Sequence, residues 1–173
     1  ANEVFNSIVY DRKNKKLYVS SSHSLFVFQN DVFVKRKRLS KDQKVLEIFK
    51  GQLVYSSKSL GEDCFIGNQI ISLKESQLDK TFLNRFSATK DGLWLCTNKG
   101  IYEFNEKSQT FSAGFLKDMR ITDIVQDLEG NHWISSLDQG LFMLPNGKIL
   151  EADMLSEKKR SYTCISMGPN EHY

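Results

Sequence analysis

Short apolar runs alternate with turn-forming clusters along this chain, and apolar residues rarely recur at helical spacing. In ITDIVQDLEGNHWISSLDQGLFML, residues 121–144, an apolar run meets Glu129-Gly130-Asn131 and a Trp-centred run follows. Asp138-Gln139-Gly140 then makes a second turn into another apolar run. Such runs, bounded by residues that accept left-handed backbone angles, predict strands joined by hairpins. The segment LKESQLDKTFLNRF reads equally as a helical turn or as a strand leading into a loop. Elsewhere the pattern predicts an all-β fold.

The wording of 121–144 has a precedent at 84–104, NRFSATKDGLWLCTNKGIYEF. Anchored on the aromatic of the second run, Tyr18, Trp94 and Trp133 stand 76 and 39 residues apart. A middle copy, GQLVYSSK, fills the long gap with Val54 or Tyr55 at the matching place. Phe26, Phe65, Tyr102 and Phe142 of the third run are spaced by 39, 37 and 40 residues. Each unit reads as four strands, in the last complete one at about 121–127, 132–137, 141–145 and 148–154. Four antiparallel strands in each unit of about 40 residues are the signature of a β-propeller blade. One blade leaves apolar faces that only its neighbours can cover, which accounts for the repetition. The spacing predicts blades over 4–43, 44–83, 84–120 and 121–160, with 161–173 as the first strand of a fifth. This is a fragment of a larger propeller by expectation, with open edges that favour self-association or contact with further blades.

Composition fits this picture. Twelve Phe, six Tyr and two Trp with only two Pro favour strands. A net charge of +3 from 24 basic and 21 acidic residues argues neither for nor against an acidic partner. The one basic run, Lys35-Arg36-Lys37-Arg38, lacks interleaved aromatics for base stacking and reads as protection of an outer strand, so no nucleic acid is expected. No apolar run is long enough to span a membrane. Cys64, Cys96 and Cys164 fall in different units without Cys-x-x-Cys spacing and read as buried small apolar residues. His23, His132 and His172 share no metal-ligand spacing, and His132 is expected to face away from Trp133. No nucleophile elbow, phosphate loop or dinucleotide fingerprint is present, so neither metal nor cofactor nor catalytic residue is assigned.

Asp127, Gly130, Trp133 and Gly140 in the fourth unit, and Asp91, Gly92, Trp94 and Gly100 in the third, read as turn and packing residues, with Tyr18 their aromatic counterpart in the first. These residues resemble the two-component regulator propeller repeat, a strand followed by Asp-x-x-Gly-x-x-Trp-Ile-Gly-Thr, a Gly-Leu turn and another strand. Asp127, Gly130, Trp133, Ile134, Gly140 and Leu141 match, while Ser135 and Ser136 replace the usual Gly and Thr. In the third unit Asp91, Gly92, Trp94, Leu95, Thr97, Gly100 and Ile101 match with one residue fewer before the Trp, and the first unit retains Asp11, Tyr18 and Leu25.

The resemblance implies a non-catalytic, extracytoplasmic sensor propeller, the periplasmic part of an inner-membrane histidine kinase of a bacterial two-component system. It implies an oligosaccharide as the ligand class. The kinase belongs to parts of such proteins that are not in this sequence, and the segment itself is not expected to insert into a membrane. Propeller geometry brings the loops between second and third strands, and those between blades, to one face. The ligand-binding candidates there are His23, Asn98, Lys99, Asp138 and Gln139, with Asn84, Arg85 and Arg120 on interblade connections. A protein-interaction scaffold and a propeller enzyme such as a polysaccharide lyase are the competing readings.

Overall fold

The computed structural model describes residues 3–30, 32–39, 44–57, 59–60, 63–73, 78, 81–145 and 150–151, and among them every regular element is a strand. The first sheet runs β1 (Phe5–Asp11), β2 (Lys16–Ser21), β3 (Ser24–Gln29), β4 (Val32–Arg38) in antiparallel order. In the second unit β5 (Lys44–Phe49) and β6 (Gln52–Ser57) are followed by a two-residue strand, β7 (Ser59–Leu60). That strand leaves its own sheet, which β8 (Cys64–Ile66) and β9 (Gln69–Ile71) complete. The third sheet holds β10 (Thr81–Ala88), β11 (Leu93–Thr97), β12 (Gly100–Asn105) and β13 (Thr110–Ala113), and β7 adds to its β10 edge through Leu60 and Ser59 opposite Thr81 and Phe82. The fourth is β14 (Ile121–Gln126), β15 (His132–Ser136), β16 (Gly140–Leu144) and β17 (Leu150–Glu151).

Of LKESQLDKTFLNRF, Leu73 and Leu78 lie outside any strand, and β10 begins at Thr81, ahead of position 84 drawn from the spacing. The expected strand over 161–173, with Cys164 and His172, lies outside the described residues.

The first strands stand side by side, β1 beside β5, β5 beside β10, and β10 beside β14, which places them innermost around a common axis. Three apolar cores fill the gaps between blades. Leu25 meets Leu46 and Tyr55 between the first two blades. Val54, Cys64 and Ile66 meet Leu83, Phe86 and Leu95 between the second and third. Trp94, Cys96 and Ile101 meet Ile121, Ile134 and Phe142 between the third and fourth. Full burial of each Leu, Ile or Phe in such a gap stabilises by about 1.5–3 kcal/mol.

Each second strand ends in a buried hydroxyl, Ser21, Ser57, Thr97 or Ser136. Three residues before each stand Tyr18, Val54, Trp94 and Trp133, so Val54 rather than Tyr55 holds the aromatic's place in the second blade. The hydroxyl closes the following turn: Thr97 Oγ1 donates to Gly100 O at 2.7 Å and accepts from Lys99 N at 3.1 Å, and Ser136 Oγ accepts from Gln139 N at 3.2 Å. Gly100 is required there on two counts. Its φ is +111°, and a Cβ would lie 2.7 Å from Leu116 O.

The basic run on β4 is exposed, yet two of its members are occupied. Arg36 pairs with Glu3 and lies over the Phe26 ring, while Lys37 Nζ donates to the Tyr55 hydroxyl of the next blade at 2.9 Å.

Candidate functional site

The first turns of the first, third and fourth blades are each held by a side-chain acceptor. Asp127 Oδ1 accepts from Glu129 N at 3.0 Å and Asn131 N at 2.8 Å, and its Oδ2 accepts from Trp133 Nε1 at 2.9 Å. Burial alone would raise this carboxyl, but the hydrogen bonds from Trp133, Asn131 and Glu129 outweigh it and hold the group below the usual carboxylate range. Asp11 serves the first blade through Asn14 N at 3.1 Å. In the third blade the place belongs to Thr89, whose Oγ1 accepts from Trp94 Nε1 at 3.1 Å. Asp91, aligned with Asp127 by the sequence pattern, reaches the neighbouring blade instead. Its Oδ2 accepts from Gln126 Nε2 at 2.6 Å and lies 3.4 Å from His132 Nε2. His132 is buried with its ring 5.6 Å from that of Trp94, on the strand face opposite Trp133.

The loop candidates are mostly committed to structure. Asn98 clasps Phe82, donating its N–H to the carbonyl at 3.0 Å and accepting the amide at its Oδ1 at 2.8 Å. Arg120 Nε donates to Asp138 Oδ2 at 2.6 Å, a two-pronged pair that neutralises both. His23 Nδ1 lies 2.8 Å from Ser22 Oγ. Lys99 and Gln139 present exposed side chains. Asn84 and Arg85 are not on a connection: both lie inside β10, because the β10–β11 ladder extends through a bulge between Leu83 and Arg85.

That bulge recurs. The register slips between Phe5 and Ser7 in β1 and between Ile121 and Asp123 in β14, at the point matching the slip in β10, while β5 pairs with β6 in unbroken register. A bulge re-aims side chains and adds twist. Here it leaves polar groups on the innermost strands, and Asn6, Ser7, Lys44, Glu47, Asn84 and Arg85 line a cleft of about 360 Å³ between β1, β5 and β10. Ser7 Oγ accepts from Leu46 N at 3.4 Å, and Asn84 Nδ2 donates to Ile121 O at 2.6 Å, so the cleft walls are cross-tied between blades.

Its electrostatics centre on one arginine. Arg85 lies 3.0 Å from Asp123 Oδ2, a carboxylate with 1% of its side chain exposed that also accepts from Ser87 Oγ at 3.0 Å. Burial pushes the Glu47 carboxyl up, against the amide of Ile48 and the charge of Arg85, which pull it down. The cleft is therefore lined by the Arg85 guanidinium, two amides, a hydroxyl, the Glu47 carboxyl and the Lys44 side chain, whose Nζ donates to Ser57 Oγ. This mixture suits a ligand rich in hydroxyl groups. Of these residues, Asn84 and Arg85 are among the candidates read from the sequence, and Asn6, Ser7, Lys44 and Glu47 are not. The available signal was charge placed within a first strand, in VLEIF and LNRF.

Cys64 and Cys96 are free, fully buried thiols, both pushed up to about 12 by desolvation and so unreactive as nucleophiles. Among the described residues no cluster of His, Cys, Asp and Glu has metal-binding geometry, and no helix is long and apolar enough to cross a membrane.

No protein-family model and no curated protein matches the chain. Solved structures do. The extracellular domain of a hybrid two-component system from B. thetaiotaomicron superposes with a TM-score of 0.62 at 21% identity, over 93% of this chain and 23% of that one. A second such domain from the same organism gives 0.62 at 14% identity, over 90% and 22%. Virginiamycin B lyase from Staphylococcus aureus gives 0.64 at 11% identity, over 86% and 55%. The chain spans about a quarter of the length of the two-component domains it matches. What it shares with all three is the fold: four antiparallel β-propeller blades stacked about a common axis.

Proposed function

We propose that the chain is a sensing segment of an extracytoplasmic propeller, in which the axial cleft takes the end of an oligosaccharide and the bound state is relayed to a kinase elsewhere in the protein. The observation that carries this reading is the cleft itself: a polar pocket on strands whose other neighbours are apolar cores. The extracellular domains of two-component systems with the same fold support the sensing role and a location outside the cytoplasm; in this reading that location is the periplasm, as part of an inner-membrane protein. Arg85, Asn84 and Glu47 recognise adjacent hydroxyls in this scheme, with Asp123 fixing the Arg85 guanidinium.

A lyase with the same fold favours one second reading, in which Glu47, its carboxyl pushed up by burial, acts on the sugar rather than only binding it. One experiment separates them. A panel of oligosaccharides is titrated against the chain, and every binder is incubated with it and analysed by mass spectrometry for cleavage. The proposal expects an intact ligand whose affinity falls about 10-fold or more in Glu47→Gln and Arg85→Lys, the loss of a charged hydrogen bond, and stays unchanged in Lys99→Ala and Gln139→Ala. Cleavage abolished by Glu47→Gln establishes the enzyme instead; affinity lost only in the loop variants moves the site off the axis.

A further inference from the structure

Positive charge is concentrated at one turn, between β1 and β2. Four of the 24 basic residues and one of the 21 acidic ones lie between Asp11 and Lys16, so this hairpin carries the whole net charge of +3 and the other residues cancel. Arg12, Lys13 and Lys15 are exposed, and among the described residues no carboxylate pairs with them. The hairpin's own acid, Asp11, is buried and bound to Asn14, Oδ1 accepting from its N at 3.1 Å and Oδ2 from its Nδ2 at 2.6 Å. The corresponding turns of the other blades differ. The second has Lys50 alone, paired with Glu106; the third has Lys90 beside Asp91; the fourth has Glu129 and no cation.

An apolar margin lies alongside. Asn30 of the β3–β4 turn donates its N–H to Lys15 O at 3.4 Å, and Lys16, Gln29 and Val32 stand in one row across β2, β3 and β4. Val32 is 64% and Val34 55% exposed, and Lys35, also exposed, follows them. We propose that this corner of the first blade adsorbs to an anionic lipid surface, with Arg12, Lys13, Lys15 and Lys35 over the headgroups and Val32 and Val34 at their apolar margin. None of these residues lines the axial cleft, so the proposal stands without it. A bilayer is the occupant on two grounds. The cations project from a turn, an arrangement that meets an extended charged surface. The two valines beside them gain only where an apolar layer lies beneath that charge, as in a bilayer and not in a hydrated polyanion. Each cation held close to such a surface strengthens binding by a factor of about 5.

Co-sedimentation of the 173-residue chain with vesicles tests this. Vesicles of equal parts phosphatidylglycerol and phosphatidylcholine are expected to carry the chain down, and vesicles of phosphatidylcholine alone to leave it in solution. Raised salt, which screens exposed charges, releases it. Arg12→Gln combined with Lys13→Gln weakens binding about 25-fold, and Val32→Ser about 3-fold or more. Lys117→Gln, at the other end of the blades, leaves it unchanged. Should circular dichroism show the double variant to be unfolded, Lys15→Asn takes its place, since asparagine suits the φ of +51° at that position. No binding to the anionic vesicles, or equal binding to the neutral ones, overturns the proposal. Vesicle binding indifferent to Val32→Ser, or heparin bound more tightly than the vesicles, overturns it in favour of a soluble polyanion.

Discussion

A carboxyl group half-buried beside one arginine and within reach of an aspartate is under opposing pulls, and in Glu47 desolvation prevails. Its folded pKa is raised above the unfolded value, so the folded state holds the proton more tightly. Stability is therefore unaffected well below the unfolded pKa, falls as pH rises through the interval between the two values, and stays reduced above the folded one. Glu47→Gln keeps the acceptor for the Ile48 amide, bound at 2.8 Å, and removes the charge. The variant should match the parent in thermal stability near pH 4 and gain on it by pH 7; a gap that is constant across that range contradicts the assignment. Residue-scale roles such as this were poorly legible in the sequence. Thr89 shows why: a hydroxyl and a carboxylate both accept an indole N–H, so the turn acceptor survives a change of residue type that breaks the motif. Asp91, which keeps the motif's letter, binds the next blade.

At the scale of the element, the hairpin was the readable unit. Glu129-Gly130-Asn131 announced the β14–β15 turn, and Asp138-Gln139-Gly140 the turn into β16. What the pattern left out was the bulge in β1, β10 and β14, because one extra polar residue among apolar ones does not disturb a spacing near 39. That omission put Asn84 and Arg85 on a connection rather than in a strand. The hairpin acceptors make a graded prediction. Asp127→Ala removes bonds to two amides and to Trp133, and urea denaturation should show a loss of about 1–3 kcal/mol. Thr89→Ala removes neutral hydroxyl bonds and should cost about 0.5–1.5 kcal/mol. Equal losses, or a larger one at Thr89, would mean that the carboxylate does not hold the turn as described.

For the whole molecule, repetition revealed the architecture because it follows from burial: a sheet with two apolar faces is stable only between others like it. The cleft stayed hidden for the opposite reason. Asn6, Glu47 and Arg85 come from three blades about 40 residues apart, and no local pattern joins them. The apolar groove around Ile8 and the axial cleft meet at Asn6, Ser7 and Ile8 of β1 and differ in chemistry, one apolar and one polar. The claim that the axis is the sensing site is tested most directly by amide NMR, titrating the chain with the tightest-binding oligosaccharide of the panel. Shifts centred on Ser7, Glu47, Asn84 and Arg85, with His23, Lys99 and Gln139 unmoved, are the predicted result. Movement confined to those three loop residues, with the cleft silent, would contradict it.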